Sequence, residues 1–126
     1  MKFIKTSSEL RAAVASSARP QPCKCAIGAC AGWESMAEYR WTAQQMIPVG
    51  TLRDAAVDEP TLEEHHPTGS RYDSANAPIA LKFFPYNRCD VWHCSVCVRD
   101  LLRYTEFGGY NVDHRVRLLD PGNIVD

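Results

Sequence analysis

The chain has 126 residues, 45% of them hydrophobic, and its 14 basic and 15 acidic side chains give a net charge of −1. This composition is too apolar and too weakly charged for a disordered chain, and no apolar stretch reaches the ~18 residues that a membrane-spanning helix needs. We therefore expect a single soluble domain over residues 1–126.

The distribution of charge argues against a nucleic-acid partner. The net charge is +3 over residues 1–52, −4 over residues 53–73 and 0 over residues 74–126. A protein that follows a phosphate backbone needs a concentrated basic surface, and none of the three segments provides one.

The first residues and the cysteine content predict the compartment. Lys5, Glu9 and Arg11 interrupt the apolar core that a secretory signal peptide needs, which predicts a cytoplasmic protein. Because thiols stay reduced in the cytosol, we expect the six cysteines to bind a metal, zinc in the first place, rather than to form disulfides.

A short strand and a helix are predicted at the N-terminus. Residues 2–5 alternate polar and apolar side chains, as an edge strand does. Thr6 and Glu9 have the spacing of a capping box, in which the hydroxyl accepts from the third helical N–H and the carboxylate reaches back. The helix predicted over residues 7–17 carries an apolar stripe for packing on a sheet: Leu10, Ala13 and Val14.

Three cysteines follow this helix and form the first candidate metal loop. Two prolines end the helix, and Cys23, Cys25 and Cys30 then fall within eight residues. Gly28 lies inside this loop and makes it flexible enough to bring two sulfur atoms to one point.

The middle of the chain is predicted to contain two strands and a long loop. Residues 33–45 are helical or irregular, with their aromatic side chains in the core, and residues 46–52 are extended, with Pro48 at an edge or a bulge. Residues 53–76 have little apolar periodicity and form a long surface loop. Residues 77–84 alternate apolar and other side chains, which predicts a strand.

A β-hairpin is predicted near the C-terminus. Gly108 and Gly109 separate a β-rich run over residues 101–107 from another over residues 110–119, and two glycines favour a tight turn. The corresponding register pairs Phe107 with Tyr110, Thr105 with Val112 and Leu101 with Val116. In this hairpin Leu102, Tyr104 and Val116 are expected to be buried, while Arg103, Arg115 and Arg117 stay solvated through their long stems.

The second candidate metal motif lies between the strand that ends at His93 and this hairpin. Cys94 and Cys97 form a CxxC turn, in which two thiolates can converge on one tetrahedral ion. Over roughly 30 residues the motif resembles one knuckle of a zinc ribbon, although Val98 stands where such knuckles usually carry glycine. A structural zinc site needs four ligands, and the upstream loop can supply two more as either Cys25 with Cys30 or Cys23 with Cys25.

Other uses of the cysteines remain open. Cys89 precedes Cys94 at a spacing that resembles plant-type iron–sulfur ferredoxins, and a CxxC can also act as a redox dithiol. His93 and His114 are expected to support or pack against the site rather than to bind metal. The sequence lacks the signatures of zinc deaminases and zinc proteases, which argues against an enzyme.

These patterns predict an α+β protein with an N-terminal helix, a small antiparallel sheet and a zinc-anchored C-terminal β-hairpin. We expect a small intracellular protein with a structural zinc site of four cysteine ligands, drawn from Cys23, Cys25, Cys30, Cys94 and Cys97. Its expected role is to bind a protein partner. The alternative is an iron–sulfur or thiol-redox protein that uses the cysteines directly.

Overall fold

The computed structural model describes residues 2–14, 25, 27–108 and 110–125. Within these parts the helix α1 (Ser7–Val14) precedes the strands β1 (Glu34–Ser35), β2 (Met46–Thr51), β3 (Asp90–Cys94), β4 (Asp100–Gly108) and β5 (Asn111–Leu118). The strands form an antiparallel sheet in the order β1-β5-β4-β3-β2, which confirms the predicted α+β class. No helix in the described ranges has the length and apolar character needed to cross a membrane.

The start of α1 follows the predicted capping pattern. The Glu9 N–H donates to Thr6 Oγ1 at 3.1 Å, and the Glu9 carboxylate accepts from the Lys5 N–H at 3.0 Å. Leu10 and Val14 are buried, so the apolar stripe packs into the core as expected. The end of the predicted helix, residues 15–17, lies outside the described residues.

The predicted extended segments at residues 2–5 and 46–52 both lie at one edge of the sheet. Phe3 forms one parallel bridge with Thr51, so the predicted N-terminal strand is a single bridge. β2 is an outer strand, and its register with β3 shifts between Pro48 and Gly50. Proline has no backbone N–H to donate to the hydrogen-bond ladder of a sheet, so it is tolerated at an edge or a bulge. Pro48 lies at both, as predicted.

Residues 77–84 do not form the predicted strand. Ile79 makes an isolated parallel bridge with Ile124, and the Phe83 N–H closes a turn on the Ala80 carbonyl. Ile79, Ala80 and Leu81 are all buried although they are consecutive. A strand with one buried and one exposed face would not bury three consecutive side chains. The alternation of residue types in this segment therefore does not reflect such a strand.

The C-terminal hairpin is confirmed, but its register differs from the predicted one by two residues. Phe107 pairs with Val112, Thr105 pairs with His114, and the final pair is Gly108 with Asn111. The turn therefore lies between Gly108 and Asn111 instead of being formed by both glycines. A shift of two residues leaves every side chain on the same face, so hydrophobic alternation cannot distinguish the two registers.

Both faces of the sheet are covered by buried side chains. One face carries the main core, which includes Val91, Leu102 and Tyr104. The other face carries a smaller cluster, the cysteine-side core, which contains these buried residues: Ile27, Cys30, Met36, Met46, Cys94, Cys97, Leu101 and Val116. Trp33 packs in the main core, as expected for the aromatics of residues 33–45, but Tyr39 of the same segment is 85% exposed, so the expectation is wrong for Tyr39.

Arg117 is fully buried, so the prediction that it stays solvated is wrong. Its guanidinium donates to the Tyr86 hydroxyl and to the carbonyls of Ala75, at 3.0 Å, and Ala77, at 2.9 Å. Backbone oxygens thus satisfy the buried charge in place of a carboxylate. Arg103 and Arg115 are half-buried, whereas Leu102, Tyr104 and Val116 are buried as predicted.

We expect Arg117→Met to lower the free energy of unfolding by about 2 kcal/mol, because two buried carbonyls and a hydroxyl lose their donor. Urea denaturation measures this change. Arg71→Met is the matched control, since the side chain of Arg71 is 84% exposed, and it should change stability by less than about 0.5 kcal/mol. Equal effects of the two substitutions would contradict the structural role of Arg117.

Candidate metal centre

Three cysteine sulfur atoms converge where β3 ends. Cys94 is the last residue of β3, Cys97 lies in the turn before β4, and Cys25 comes from the upstream loop. All three Sγ atoms lie within 4.8 Å of one another, and those of Cys25 and Cys94 are 4.0 Å apart. Zn–S bonds of about 2.3 Å place tetrahedral sulfur ligands about 3.8 Å apart, so the spacing suits a metal ion.

The CxxC turn over residues 94–98, which we call the knuckle, is closed by two backbone hydrogen bonds. The Cys94 N–H donates to the Arg99 carbonyl at 2.9 Å, and the Val98 N–H donates to the Cys94 carbonyl at 2.9 Å. Val98 has φ of 56°, the left-handed region that glycine usually supplies. The chain therefore places a β-branched residue in the left-handed region, at a cost of about 1–2 kcal/mol.

Two side chains direct N–H groups at the sulfur atoms. The Gln45 amide lies 3.3 Å from Cys25 Sγ and 3.5 Å from Cys94 Sγ. The Nε–H of Arg99 donates to Cys97 Sγ at 3.2 Å, and this arginine is only 5% exposed. Groups that donate hydrogen bonds to ligand atoms orient those atoms in metal sites.

Gln45 is itself fixed to the knuckle. Its backbone carbonyl accepts from the Ser95 N–H at 2.8 Å and from the Ser95 hydroxyl at 2.9 Å. The backbone of Gln45 is therefore bonded to the same turn whose cysteine sulfurs its side-chain amide contacts. Nothing in the local sequence around Gln45 signals this position, because it depends on the pairing of β2 with β3.

Two arginines hold the upstream loop against the knuckle. Arg99 donates to the carbonyls of Gly28 at 2.7 Å and Ala29 at 3.3 Å, and Arg40 donates to the carbonyl of Ile27 at 2.9 Å. Gly28 has φ of 73°, which lets the loop turn back so that its N–H donates to the Cys25 carbonyl. Arg99 was not among the predicted site residues, although it lies only two residues after Cys97.

The remaining cysteines differ from the clustered three. Cys30 Sγ donates to the Ile27 carbonyl at 3.0 Å, and burial, with a smaller contribution from Glu34, raises the pKa of this thiol to about 11. Cys89 lies in the main core, donates to the Pro85 carbonyl at 3.2 Å, and has a pKa that burial raises well above the usual value. Cys23 lies outside the described residues.

The histidines near the site contact other side chains. His93 Nδ1 lies 3.0 Å from the buried carboxylate of Asp100. His114 Nδ1 lies 3.0 Å from the Thr105 hydroxyl, and its Nε2 lies 3.3 Å from the Glu38 carboxylate. The expected supporting role of both histidines stays a prediction.

We expect Val98→Gly to raise the free energy of unfolding by about 1 kcal/mol, because glycine adopts the left-handed conformation without a Cβ clash. Thermal or urea unfolding of the two proteins measures the difference. Val96→Gly is the matched control in the same turn, where the side chain is 65% exposed, and it should be neutral or destabilising by up to about 1 kcal/mol. A destabilised Val98→Gly variant would contradict this account of the turn.

The chain has no significant match among family models, curated proteins or solved structures. Among the described residues, three cysteine sulfurs with two N–H donating side chains beside them form a cluster that could hold a metal ion.

Proposed function

We propose that this protein is a zinc-binding recognition module, in which Cys25, Cys94, Cys97 and Cys23 hold one structural zinc ion. The observation that carries the proposal is the convergence of three cysteine sulfurs within 4.8 Å of one another. Thiolates are the preferred ligands of structural zinc, and a fourth sulfur would complete the usual tetrahedron. With four protein ligands the ion has no open position for a substrate.

Cys23 is proposed as the fourth ligand by comparison with Cys30. The Cys30 thiol already donates to a carbonyl and has a raised pKa, so it is poorly suited to bind a metal as a thiolate. Cys23 is two residues before Cys25 in the sequence. This short spacing allows two sulfurs of one loop to reach one ion.

The positions of the cysteines favour zinc over the alternatives. An iron–sulfur cluster with ferredoxin spacing would use Cys89, but this cysteine lies in the main core. A redox dithiol needs an accessible thiolate, usually at a helix N-terminus. Cys94 is 0% exposed at the end of a strand, which supports a structural role.

The proposed ion would stabilise the fold by cross-linking distant parts of the chain. Cys25 and Cys94 are 69 residues apart in sequence, and closing a long loop is entropically costly in the absence of a link. Metal binding to such a site is coupled to folding. The same ion would fix the loop that covers one face of the sheet.

Metal analysis of three variants beside the parent tests the ligand set. We expect one zinc per purified chain, lost in Cys94→Ser and Cys23→Ser and retained in Cys30→Ser. After cobalt substitution, the parent and the Cys30→Ser variant should show the charge-transfer absorption of tetrahedral sulfur ligation. A Cys23→Ser variant that keeps zinc with unchanged affinity and spectrum would remove Cys23 from the site, and iron or labile sulfide in the parent would replace the zinc proposal.

The N–H donors on the sulfurs provide an independent test. Gln45→Leu should weaken zinc binding about 10- to 100-fold, since it removes donors that lie 3.3 Å and 3.5 Å from two sulfur atoms. Competition with a chelator measures the affinity. Gln44→Leu is the matched control because the neighbouring Gln44 is exposed. Equal zinc affinities for the two variants would show that the amide of Gln45 does not act on a bound metal.

A further inference from the structure

A second candidate site lies on the same face of the sheet as the cysteine-side core. It is an open cleft of about 710 Å³, which we name the arginine cleft, lined by these residues: Thr51, Arg53, Arg88, Asp90, Trp92, Arg103, Tyr104, Thr105 and Phe107. Ligand pockets for small molecules commonly have volumes of about 300–1,000 Å³. None of the lining residues is a cysteine, so the cleft is independent of the proposed metal site.

The cleft has an excess of positive charge. Three arginines face one carboxylate, that of Asp90, which lies opposite Arg103 in the β3–β4 register. In the described part of the chain, no carboxylate lies within the 4.0 Å that defines an ion pair for Arg53, Arg88 or Arg103. Their charges are therefore balanced less completely than those of Arg115, which pairs with two carboxylates.

Backbone carbonyls of residues 54–60, beside the cleft, accept hydrogen bonds from two of these guanidinium groups. Arg53 donates to the carbonyls of Asp54 and Asp58, and Arg88 donates to the Pro60 carbonyl at 2.7 Å. Each guanidinium has five N–H donors, so these bonds orient the group and leave other donors for a ligand. Such preorganisation lowers the entropic cost of binding an anion.

The third guanidinium packs on an aromatic ring. The Arg103 guanidinium carbon lies 4.5 Å from the centre of the Trp41 ring, which in turn packs edge-on against Trp92. Partial burial lowers the pKa of Arg103 below the usual value, although Glu38 and Asp90 oppose this effect. A partly desolvated cation held in this way attracts an anion more strongly than one in open solvent.

The rim of the cleft also presents an apolar ring. Phe107 lies in β4 next to the hairpin turn, and it is 79% exposed. An exposed phenyl group beside cationic side chains is suited to stack against a planar heterocycle. The two features together fit a ligand that carries both a phosphate and a flat ring.

We propose that the arginine cleft binds a mononucleotide, with its phosphate on the guanidinium groups and its base on Phe107. Guanidinium forks match the geometry of phosphate oxygens, which is the reason for placing the phosphate there. A single nucleotide suits the charge distribution better than a polymer, because the chain carries a net charge of −1 and no long basic stripe.

Calorimetric titration of the full chain with AMP, adenosine and inorganic phosphate tests this proposal. We expect AMP to bind with a dissociation constant below about 1 mM, and adenosine and inorganic phosphate to bind about tenfold more weakly or worse. The double variant Arg88→Gln, Arg103→Gln should lose about tenfold or more in AMP affinity. Phe107→Ala should weaken AMP but not inorganic phosphate.

Arg71→Gln is the matched control, because it removes one positive charge from an exposed side chain that does not line the cleft. It should leave the AMP affinity unchanged. Circular dichroism checks that the double variant folds, and Arg53→Gln replaces it if it does not. Failure of the parent to bind AMP at about 10 mM, a concentration well above the affinity expected here, would overturn the proposal, as would equal affinity of the parent and the cleft variant.

Titration with a single-stranded oligothymidylate distinguishes a free mononucleotide from a nucleic-acid strand as the ligand. The proposal predicts that it binds no more than about tenfold more tightly than a mononucleotide and with a shallow dependence on salt. Binding about 100-fold tighter, with a steep salt dependence, would replace the mononucleotide with a nucleic-acid strand.

Discussion

The approach of Cys25 to Cys94 is the constraint on which this structure depends. It joins positions 69 residues apart, at a sulfur separation of 4.0 Å. Sulfur atoms at this distance, if ionised, repel each other unless a cation lies between them. The Gln45 amide donates to both sulfurs of this contact and Arg99 donates to the neighbouring Cys97 sulfur, which indicates a specific arrangement rather than a chance packing of apolar thiols.

Local patterns predicted much of the fold because they depend on residues close in sequence. The cap at Thr6, the edge position of Pro48 and the hairpin in β4 and β5 follow from chemistry within a few residues. The hairpin register could not be fixed in this way, since pairings that differ by two residues bury the same faces. The segment containing Ile79 was assigned to a strand because alternation does not reveal that a segment is surrounded by other parts of the core.

The candidate site was predictable in part for a similar reason. The CxxC spacing of Cys94 and Cys97 is local, and the earlier loop offered Cys25 among three choices. Which of the three loop cysteines joins the cluster depends on the path of the loop. Arg40 and Arg99 fix that path by donating hydrogen bonds to loop carbonyls. A sequence pattern carries no information about which carbonyl an arginine will reach, and Arg117 illustrates the same difficulty in the main core.

The edges of the sheet have a consequence for the behaviour of this protein at high concentration. On one side the outer strand β2 contains Pro48 and a break in register, and on the other side β1 has only two residues. Beside β1, the Leu118 N–H donates to the Cys30 carbonyl and the His114 carbonyl accepts from the Met36 N–H, so a loop occupies that edge of β5. Proline, irregular pairing and covering loops each hinder the addition of a strand from another molecule. The same loop that brings Cys25 to the cysteine cluster therefore protects the β5 side of this sheet against edge-to-edge aggregation, and Pro48 protects the β2 side.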